Sequence, residues 1–291
     1  WSWWRYTNGN NTGIRIMGVF SNNLLAGAAA AATAGGGAFY SYQIEHSCRF
    51  DNDSTSYLYR TQGAGSSQRT WTFSTWFKKS GDHSPPNSAD QNPVFFSGAQ
   101  AGGTNHGGLL FDSTSAGDMR PFNYTNSFDF DLRTTGEFVD STGWGHVVMR
   151  VDTTQSTSGD RVRLYLNGTQ ITAFDTESQP SQNFDTAFGI NSTVMYIGDA
   201  TGSSSYDGFL AETIFTDGQS YAPTQFGETK NGVWIPKDPS GTTFGNNGFH
   251  LKYENASDLG NDSSGNNNDF TESGLGADHQ TISTPTTGAG S

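Results

Sequence analysis

The stretch Trp71-Thr-Phe-Ser-Thr-Trp-Phe-Lys78 decides the fold of this chain. Trp71, Phe73 and Phe77 share one parity, whereas the other parity holds Thr72, Ser74, Trp76 and Lys78. Successive side chains of a β-strand point to opposite faces of the sheet, so this alternation predicts a strand with one buried face. Trp76 is the exception, because its parity places it with the polar residues.

Further stretches along the chain repeat this strand pattern. They are Gly143-Trp-Gly-His-Val-Val-Met-Arg-Val-Asp152, Val162-Arg-Leu-Tyr-Leu-Asn-Gly168, Met195-Tyr-Ile-Gly198 and Gly208-Phe-Leu-Ala-Glu-Thr-Ile-Phe215. Asn167 and Gly168 both tolerate positive φ, which a type I′ turn requires at its two central residues. The stretch that ends in Asn167-Gly168 therefore predicts a hairpin.

Strand signals recur at regular spacing, separated by clusters of Gly, Pro, Asn, Asp and Ser that favour turns. The predicted strands lie near residues 47–51, 56–60, 70–79, 93–97, 107–111, 128–132, 144–152, 161–167, 170–174, 194–198 and 208–216. Only residues 222–228 indicate a helical turn, because Pro223 suits its first position. The fold class predicted from this pattern is all-β, with two antiparallel sheets packed as a jelly-roll sandwich.

Taken together, these stretches resemble the concanavalin A-like, laminin G-like jelly-roll family. Its members carry a Phe-Thr-Ile-Ser-x-Trp-Val-like strand, a Gly-Trp-x-His-Val strand, a Val-x-Leu-Tyr-x-Asn-Gly hairpin and a late Gly-x-Ile-Asp-Glu strand. The resemblance covers roughly residues 44–235. The chain departs from it at Leu210-Ala211-Glu212, where the family has Ile-Asp-Glu, so no role that rests on that Asp carries over. The Glu-x-Asp-x-x-Glu arrangement of glycosidases with this fold is also missing.

Four segments resemble virion proteins of tailed phages still more closely. They are Ser47-Cys-Arg-Phe-Asp51 with Tyr57-Leu-Tyr-Arg60, Arg69-Thr-Trp-Thr-Phe73, Gly248-Phe-His-Leu-Lys-Tyr253, and Leu259 through Phe270. The resemblance implies a structural protein on the external surface of a phage particle, with other virion proteins and copies of itself as partners, a trimer in the case of a fibre. The favoured role is a tail-fibre or adhesin component that binds host-surface glycans. A capsid decoration (cement) protein is the alternative, and a glycan-active enzyme comes third; we expect no enzymatic activity.

The composition divides the chain into three segments. Residues 1–43 form an arm in which Trp1, Trp3, Trp4 and Tyr6 are expected to anchor the chain in a neighbouring subunit, with a flexible aromatic terminus as the other interpretation. Residues 44–235 form the sandwich. Residues 236–291 form a Gly- and Asn-rich extension, partly packed on the sandwich and ending in a linker. Because the chain begins with Trp rather than Met, we expect a processed product or part of a longer protein.

Charge and cysteine content exclude several classes of partner. The chain has 15 Lys and Arg against 28 Asp and Glu, a formal net charge of −13. Nucleic-acid binding depends on clustered cations that displace counterions, so no nucleic-acid partner is expected. The single cysteine, Cys48, excludes an internal disulfide and any multi-cysteine zinc site, and we expect it to be buried. The apolar run Leu24 to Ala34 is shorter than the roughly 20 residues that a membrane span needs, so no membrane partner is expected.

The candidate glycan-binding residues are aromatic, because such rings stack on sugars when they are exposed. They are Trp76, Tyr124, Tyr206 and Trp234, each of which could equally belong to the core or to a subunit interface. His146, at the Trp-x-His position of the resemblance, is expected to be structural, with its hydrogen bonds satisfied. In Phe128-Asp-Phe-Asp-Leu132, the two aspartates are typical of an amphipathic strand with Phe128, Phe130 and Leu132 inward.

Calcium is the cofactor that the resemblance implies, because related sandwiches hold one at a loop rim through hard oxygen ligands. Asp199 and Asp207 flank a Gly- and Ser-rich loop and are the candidate ligands. The segment from Asp262 to Asp269 is a second candidate. For both, solvated acidic residues in turns are the alternative interpretation.

Overall fold

The computed structural model describes residues 39–51, 56–80, 94–99, 105–112, 117–136, 138, 140–199 and 206–287. The predicted anchor residues Trp1, Trp3, Trp4 and Tyr6 lie outside these ranges, as does the end of the predicted linker. The arm and its role therefore stay predictions.

The described chain consists of eighteen strands and short 3₁₀ turns. The strands are β1 (Ser47–Phe50), β2 (Tyr57–Thr61), β3 (Thr70–Lys79), β4 (Val94–Ala99), β5 (Asn105–Asp112), β6 (Asp118–Thr125), β7 (Phe128–Thr134), β8 (Gly145–Asp152), β9 (Val162–Leu166), β10 (Thr169–Gln170), β11 (Phe174–Ser178), β12 (Val194–Ile197), β13 (Gly208–Asp217), β14 (Gly227–Lys230), β15 (Val233–Pro236), β16 (Phe249–Leu251), β17 (Thr271–Ser273) and β18 (Gln280–Thr281). No helix in these ranges is long and apolar enough to cross a membrane.

Two antiparallel sheets of eight strands form the sandwich, which confirms the predicted fold class. Sheet A has the order β10-β9-β8-β3-β13-β1-β18, and β16 pairs with the second half of β13. Sheet B has the order β11-β7-β6-β5-β4-β12-β2-β17. Strands β14 and β15 form a separate two-stranded ribbon.

The main core fills the space between the sheets with the side chains that strand parity predicts. Trp71, Phe73 and Phe77 are all buried there. Phe73 stacks on Phe96 of sheet B, with ring centroids 4.3 Å apart and an interplanar angle of 5°. Cys48 is also buried in this core, and burial raises the pKa of its thiol, so it is an inert core residue.

Two local predictions from the sequence are confirmed. Asn167 and Gly168 have φ of +48° and +78°, as a type I′ hairpin requires. A Cβ atom at Gly168 would lie 2.5 Å from the Trp234 ring, so this glycine also permits close packing of the ribbon. The predicted helical turn is a 3₁₀ turn over Pro223–Gln225, with the proline at its start.

The sequence prediction missed β6 and misplaced Phe128. Strand β6 contains Pro121, and an internal proline argues against a strand because it lacks the N–H that the ladder uses. Phe130 and Leu132 face the core as predicted, but Phe128 is 46% exposed. A bulge between β6 and β7 pairs Tyr124 with Phe128, which places Phe128 on the outer face.

The C-terminal segment adds strands to both sheets. Strand β17 pairs with β2 in sheet B, whereas β18 pairs with β1 in sheet A. Hydrogen bonds from the side chains of Asn266 and Asn268 to the carbonyl oxygens of residues 245–248 fasten the Asn-rich loop between β16 and β17. These short strands follow no long apolar alternation, which is why the sequence pattern did not predict them.

Candidate functional site

A covering segment lies over the outer face of sheet A. We call residues 39–46 the strap. Ile44 of the strap packs with Trp76, Trp144 and Ala211. The backbone N–H of Ile44 donates to Thr286 Oγ1 at 3.0 Å. As a result Trp76 is only 4% exposed, so the prediction that it binds glycan is wrong: its ring has no free face.

His146 lies between two tryptophans beneath this cover. Its ring stacks on Trp76 at 4.7 Å and on Trp234 at 6.0 Å between centroids. The Trp234 indole N–H donates to His146 Nδ1 at 3.0 Å, and an indole nitrogen can only donate. The ring proton therefore lies on Nε2, which donates to Ser74 Oγ at 2.9 Å. Burial lowers the pKa of His146 to about 3, which keeps the ring neutral. His146 is structural, as predicted, and Trp234 uses its N–H inside the fold.

Tyr206 belongs to the main core. It is fully buried, and its hydroxyl donates to the carbonyl oxygen of Lys78 at 3.1 Å. Its ring packs against Phe95, with centroids 5.1 Å apart. Burial raises the pKa of its phenol well above the usual value. The prediction that Tyr206 binds glycan is therefore also wrong.

The predicted calcium ligands lie on either side of residues 200–205, which are outside the described ranges. Asp199 is fully buried, and its carbonyl oxygen accepts a hydrogen bond from Ser97 Oγ at 3.0 Å. The carbonyl oxygen of Asp207 accepts from the backbone N–H of Ser80 at 3.2 Å. Among the residues that the structure describes, no group of three or more His, Cys, Asp and Glu side chains could hold a metal. These residues do not by themselves provide a calcium cage, and the calcium site stays a prediction.

The carboxylates of the second calcium candidate, the segment from Asp262 to Asp269, accept hydrogen bonds from the protein itself. The carboxylate of Asp262 accepts hydrogen bonds from the backbone N–H groups of His250, Ser264 and Asn268, at 2.8 to 2.9 Å. It also accepts from Ser264 Oγ at 2.7 Å. The carboxylate of Asp269 accepts from the backbone N–H of Asp262. Protein donors therefore satisfy these carboxylates, as in an ordinary Asx turn.

Glu212 lies where this chain departs from the family motif. It has φ of +49°, within a register shift of β13 between Ala211 and Ile214. Its carboxylate accepts from the hydroxyl of Tyr42 in the strap at 3.1 Å and contacts His250 Nε2 at 2.5 Å. A neighbouring polar cleft of about 240 Å³ is lined by Tyr42, Gln43, Glu45, His46, Glu212, Lys252 and Glu254. Glu212 thus links the strap to β16.

Tyr124 is the predicted residue that lies on an aromatic surface with exposed members. It packs with His106 and Phe128 on the outer face of sheet B, at centroid distances of 5.1 and 5.3 Å. Arg120 lies 4.7 Å over the Phe128 ring. The Arg120 guanidinium also pairs with Asp131 through two hydrogen bonds of 2.6 and 2.7 Å. This surface is therefore aromatic with a paired charge at its side.

A second aromatic surface on sheet B went unpredicted. Tyr57, Tyr59 and Tyr196 form what we call the tyrosine cluster, with ring centroids 5.9, 6.0 and 6.4 Å apart. Leu58 faces the core, so Tyr57 and Tyr59 face outward, and Tyr59 is 37% exposed. Tyr59 and Tyr196 are direct partners across β2 and β12. Within the described ranges, none of the three hydroxyls has a hydrogen-bond partner.

The sequence carries part of the signal for this cluster. Tyr57 and Tyr59 are two residues apart in a strand and so share a face. Nothing local joins them to Tyr196, because the pairing of β12 with β2 depends on the sheet order. The three tyrosines could therefore not be grouped from the sequence alone.

Comparison with known proteins points to one family. Residues 52–218, more than half of the chain, match the sequence model of the concanavalin A-like lectin/glucanases superfamily. No curated protein sequence matches the chain. A solved structure of a candidate carbohydrate-binding protein from Bacteroides ovatus is similar at 13% identity with a TM-score of 0.52, over 83% of this chain and 60% of that one. This chain thus spans less than two thirds of that protein.

Two further solved structures are similar at lower TM-scores. The heptameric SAP-like pentraxin of Limulus polyphemus is similar at 15% identity with a TM-score of 0.44, over 64% of this chain and 82% of that chain. Domains LG4-5 of the mouse laminin alpha1 chain are similar at 10% identity with a TM-score of 0.41, over 62% and 44%.

Proposed function

This chain belongs to the concanavalin A-like lectin/glucanases superfamily, and we propose that it binds carbohydrate through the tyrosine cluster of sheet B. The observation that carries the proposal is the grouping of Tyr57, Tyr59 and Tyr196 on an outer sheet face, with hydroxyls that make no hydrogen bond within the described chain. Two of the four aromatic candidates predicted from the sequence, Trp76 and Tyr206, are buried.

The chemistry of tyrosine suits a sugar ligand. A sugar ring presents C–H groups on its faces and hydroxyls at its rim. A tyrosine ring offers an apolar face with a hydroxyl that both donates and accepts. Three such rings on a rigid sheet supply this combination with little loss of conformational freedom on binding, because the strands fix the backbone.

The finer role we propose is that of a virion surface protein of a tailed phage, in which the cluster contacts host-surface glycans. The support is the resemblance of residues 47–51, 57–60 and 259–270 to such proteins. Assembly as a homo-oligomer, with the arm of residues 1–43 inserted into a neighbouring subunit, belongs to the same proposal. Locating the chain on purified particles by cryo-electron microscopy tests this role against that of a capsid decoration protein.

We further propose that the chain does not cleave glycans. The acidic motif of glycosidases with this fold is missing from the sequence. Glu212, which keeps the last position of the family motif, already accepts from Tyr42 and contacts His250. A carboxylate held in this way supports the packing of the strap.

The test is a host-glycan array with the full chain, followed by calorimetric titration of the glycans that bind. Tyr59→Ala is expected to weaken binding about tenfold or more, which corresponds to about 1.4 kcal/mol, because the most exposed ring is removed. Phe128→Ala is the matched control on the same face, and it should leave the affinity within about twofold. Equal affinity of the Tyr59→Ala variant and the unaltered chain would contradict the proposal. Silence across the array would favour the decoration role.

A further inference from the structure

We infer that the tyrosine cluster takes an uncharged sugar and contacts a single ring, at the end or at a branch of a glycan. The inference rests on the proposed function, because it specifies the ligand class of the same site.

The register of three strands defines the lining. Direct cross-strand partners share a sheet face. Tyr57 pairs with Ser273, and Tyr59 pairs with Thr271 on one side and Tyr196 on the other. The outward residues around the cluster are therefore Tyr57, Tyr59, Thr61, Val194, Tyr196, Thr271 and Ser273. None of these seven side chains carries a charge.

The charged residues of these strands point away from the cluster. Arg60 alternates with Tyr59, lies over the Phe270 ring at 5.8 Å and donates to Asn268 Oδ1 at 2.5 Å. Glu272 is paired with Leu58, whose side chain is in the core, and its carboxylate accepts from the backbone N–H of Leu259. Both charges are thus held on the opposite face.

A sugar acid would find no counter-charge at this surface. Carboxylate and sulfate groups are recognised mainly through Arg and Lys, whose charge-assisted hydrogen bonds offset the loss of hydration. Among the described residues the lining of the cluster contains no cation, and the charge that acts on Tyr196 is the carboxylate of Asp199. The chain as a whole has a formal net charge of −13. Burial raises the pKa of the Tyr196 phenol, so it stays a neutral donor. These features favour neutral hydroxyl-bearing ligands.

The shape of the cluster limits the ligand to one ring. The three centroids form a compact triangle about 6 Å on a side, and the rings are tilted by 51°, 58° and 31° to one another. They do not form a flat strip along which a long chain could lie. On the side toward β4, Ser97 is the next outward residue in the row and is buried. Additional sugar units would therefore extend away from the aromatic contact.

The experiment titrates the full chain with glucose, galactose and mannose, with glucuronic and galacturonic acid, and with a neutral trisaccharide of the sugar that binds. Titrations run at 50 and 500 mM sodium chloride. The expected result is binding of at least one neutral sugar, with at least tenfold weaker binding of the acids. Salt should change the affinity by less than twofold, and the trisaccharide should gain less than about fivefold over the single sugar.

A charge variant sharpens this test. Thr271→Lys places an ammonium group beside Tyr59 on an edge strand, and it should raise the affinity for the sugar acids at least threefold at low salt. Gln170→Lys, at an exposed position on the edge of the other sheet, is the matched control and should change nothing.

The outcomes separate the two proposals. Preference for sugar acids, strong salt dependence, or a trisaccharide gain above tenfold that depends on Tyr59 would overturn the inference and leave carbohydrate binding standing. Absence of binding to every sugar of this panel and of the host-glycan array would overturn the proposed function itself.

Discussion

The two sheets of the sandwich differ in what covers their outer faces. On sheet A, Trp76 and His146 lie beneath the strap and the β14–β15 ribbon, and the aromatic rings stack on each other. On sheet B, Tyr59 projects from β2 and is open to solvent. On both sheets these aromatic residues occupy strand positions that face outward, away from the main core. The difference shows that an outward-facing aromatic becomes structural or available for binding according to segments that are distant in sequence.

Substitution of Trp76 should show the largest effect of this difference. Trp76→Ala removes a buried indole from between sheet A and the strap, and large-to-small substitutions of Trp cost about 3–5 kcal/mol in the free energy of unfolding. Urea denaturation followed by tryptophan fluorescence and circular dichroism measures the loss. Trp76→Phe, which keeps a ring over His146, should lose less than half as much. A loss below about 1 kcal/mol for the alanine variant would mean that the strap does not hold this face.

Acid should weaken sheet A through His146. Its pKa is lowered from 6.5 to about 3 in the folded chain, so between these values the unfolded chain binds one more proton than the folded one. The free energy of unfolding then rises with pH, at about 1.4 kcal/mol per pH unit. The stabilisation is complete above pH 6.5 and falls as the pH drops toward 3, by about 2 kcal/mol at pH 5.

Urea denaturation of the chain and of a His146→Gln variant at pH 7 and pH 5 measures this contribution. The variant lacks the titrating group, so its loss of stability between the two pH values should be smaller by about 2 kcal/mol. Equal losses would show that His146 is protonated in the folded state, and the hydrogen bond from Trp234 would then need another explanation.

The smallest effect on stability is expected at Tyr59. Tyr59→Ala removes a cross-strand contact with Tyr196 at a partly exposed position, and such pairs contribute about 0.2–1 kcal/mol. Thermal and urea unfolding should change correspondingly little, whereas the proposed affinity for carbohydrate should fall about tenfold or more. Destabilisation as large as that of Trp76→Ala would mean that the tyrosine cluster is a structural feature, and the contrast between the two faces would disappear.

Strand parity accounts for the part of the fold that was predicted. One short stretch shows by alternation that Trp71, Phe73 and Phe77 face the core. The turn at Asn167-Gly168 is predictable because both residues tolerate positive φ. Strand β6 escaped prediction because Pro121 interrupts it, and Phe128 was misplaced because a bulge reverses parity. Bulges depend on the partner strand, which no local pattern specifies.

The site was harder to predict than the fold. Trp76 and Tyr206 are candidates in a strand and a loop, and both are buried by contacts with distant segments: Ile44 in one case, Phe50 and Phe95 in the other. Tyr124 lies on an outer aromatic surface, where its role in glycan binding stays a prediction. Tyr196 joins Tyr57 and Tyr59 only through the sheet order. Burial of single aromatics is therefore a tertiary property, whereas the face of a strand is a local one.

The C-terminal strands β17 and β18 lie at the ends of the two sheets. Each shields the outermost hydrogen-bonding edge of a different sheet: β17 protects β2, and β18 protects β1. Unshielded edges of this kind pair readily with strands of other molecules. Because β17 and β18 are only three and two residues long, the edges that they leave offer few free backbone groups, which limits self-association. The edge formed by β17 lies directly beside Tyr59.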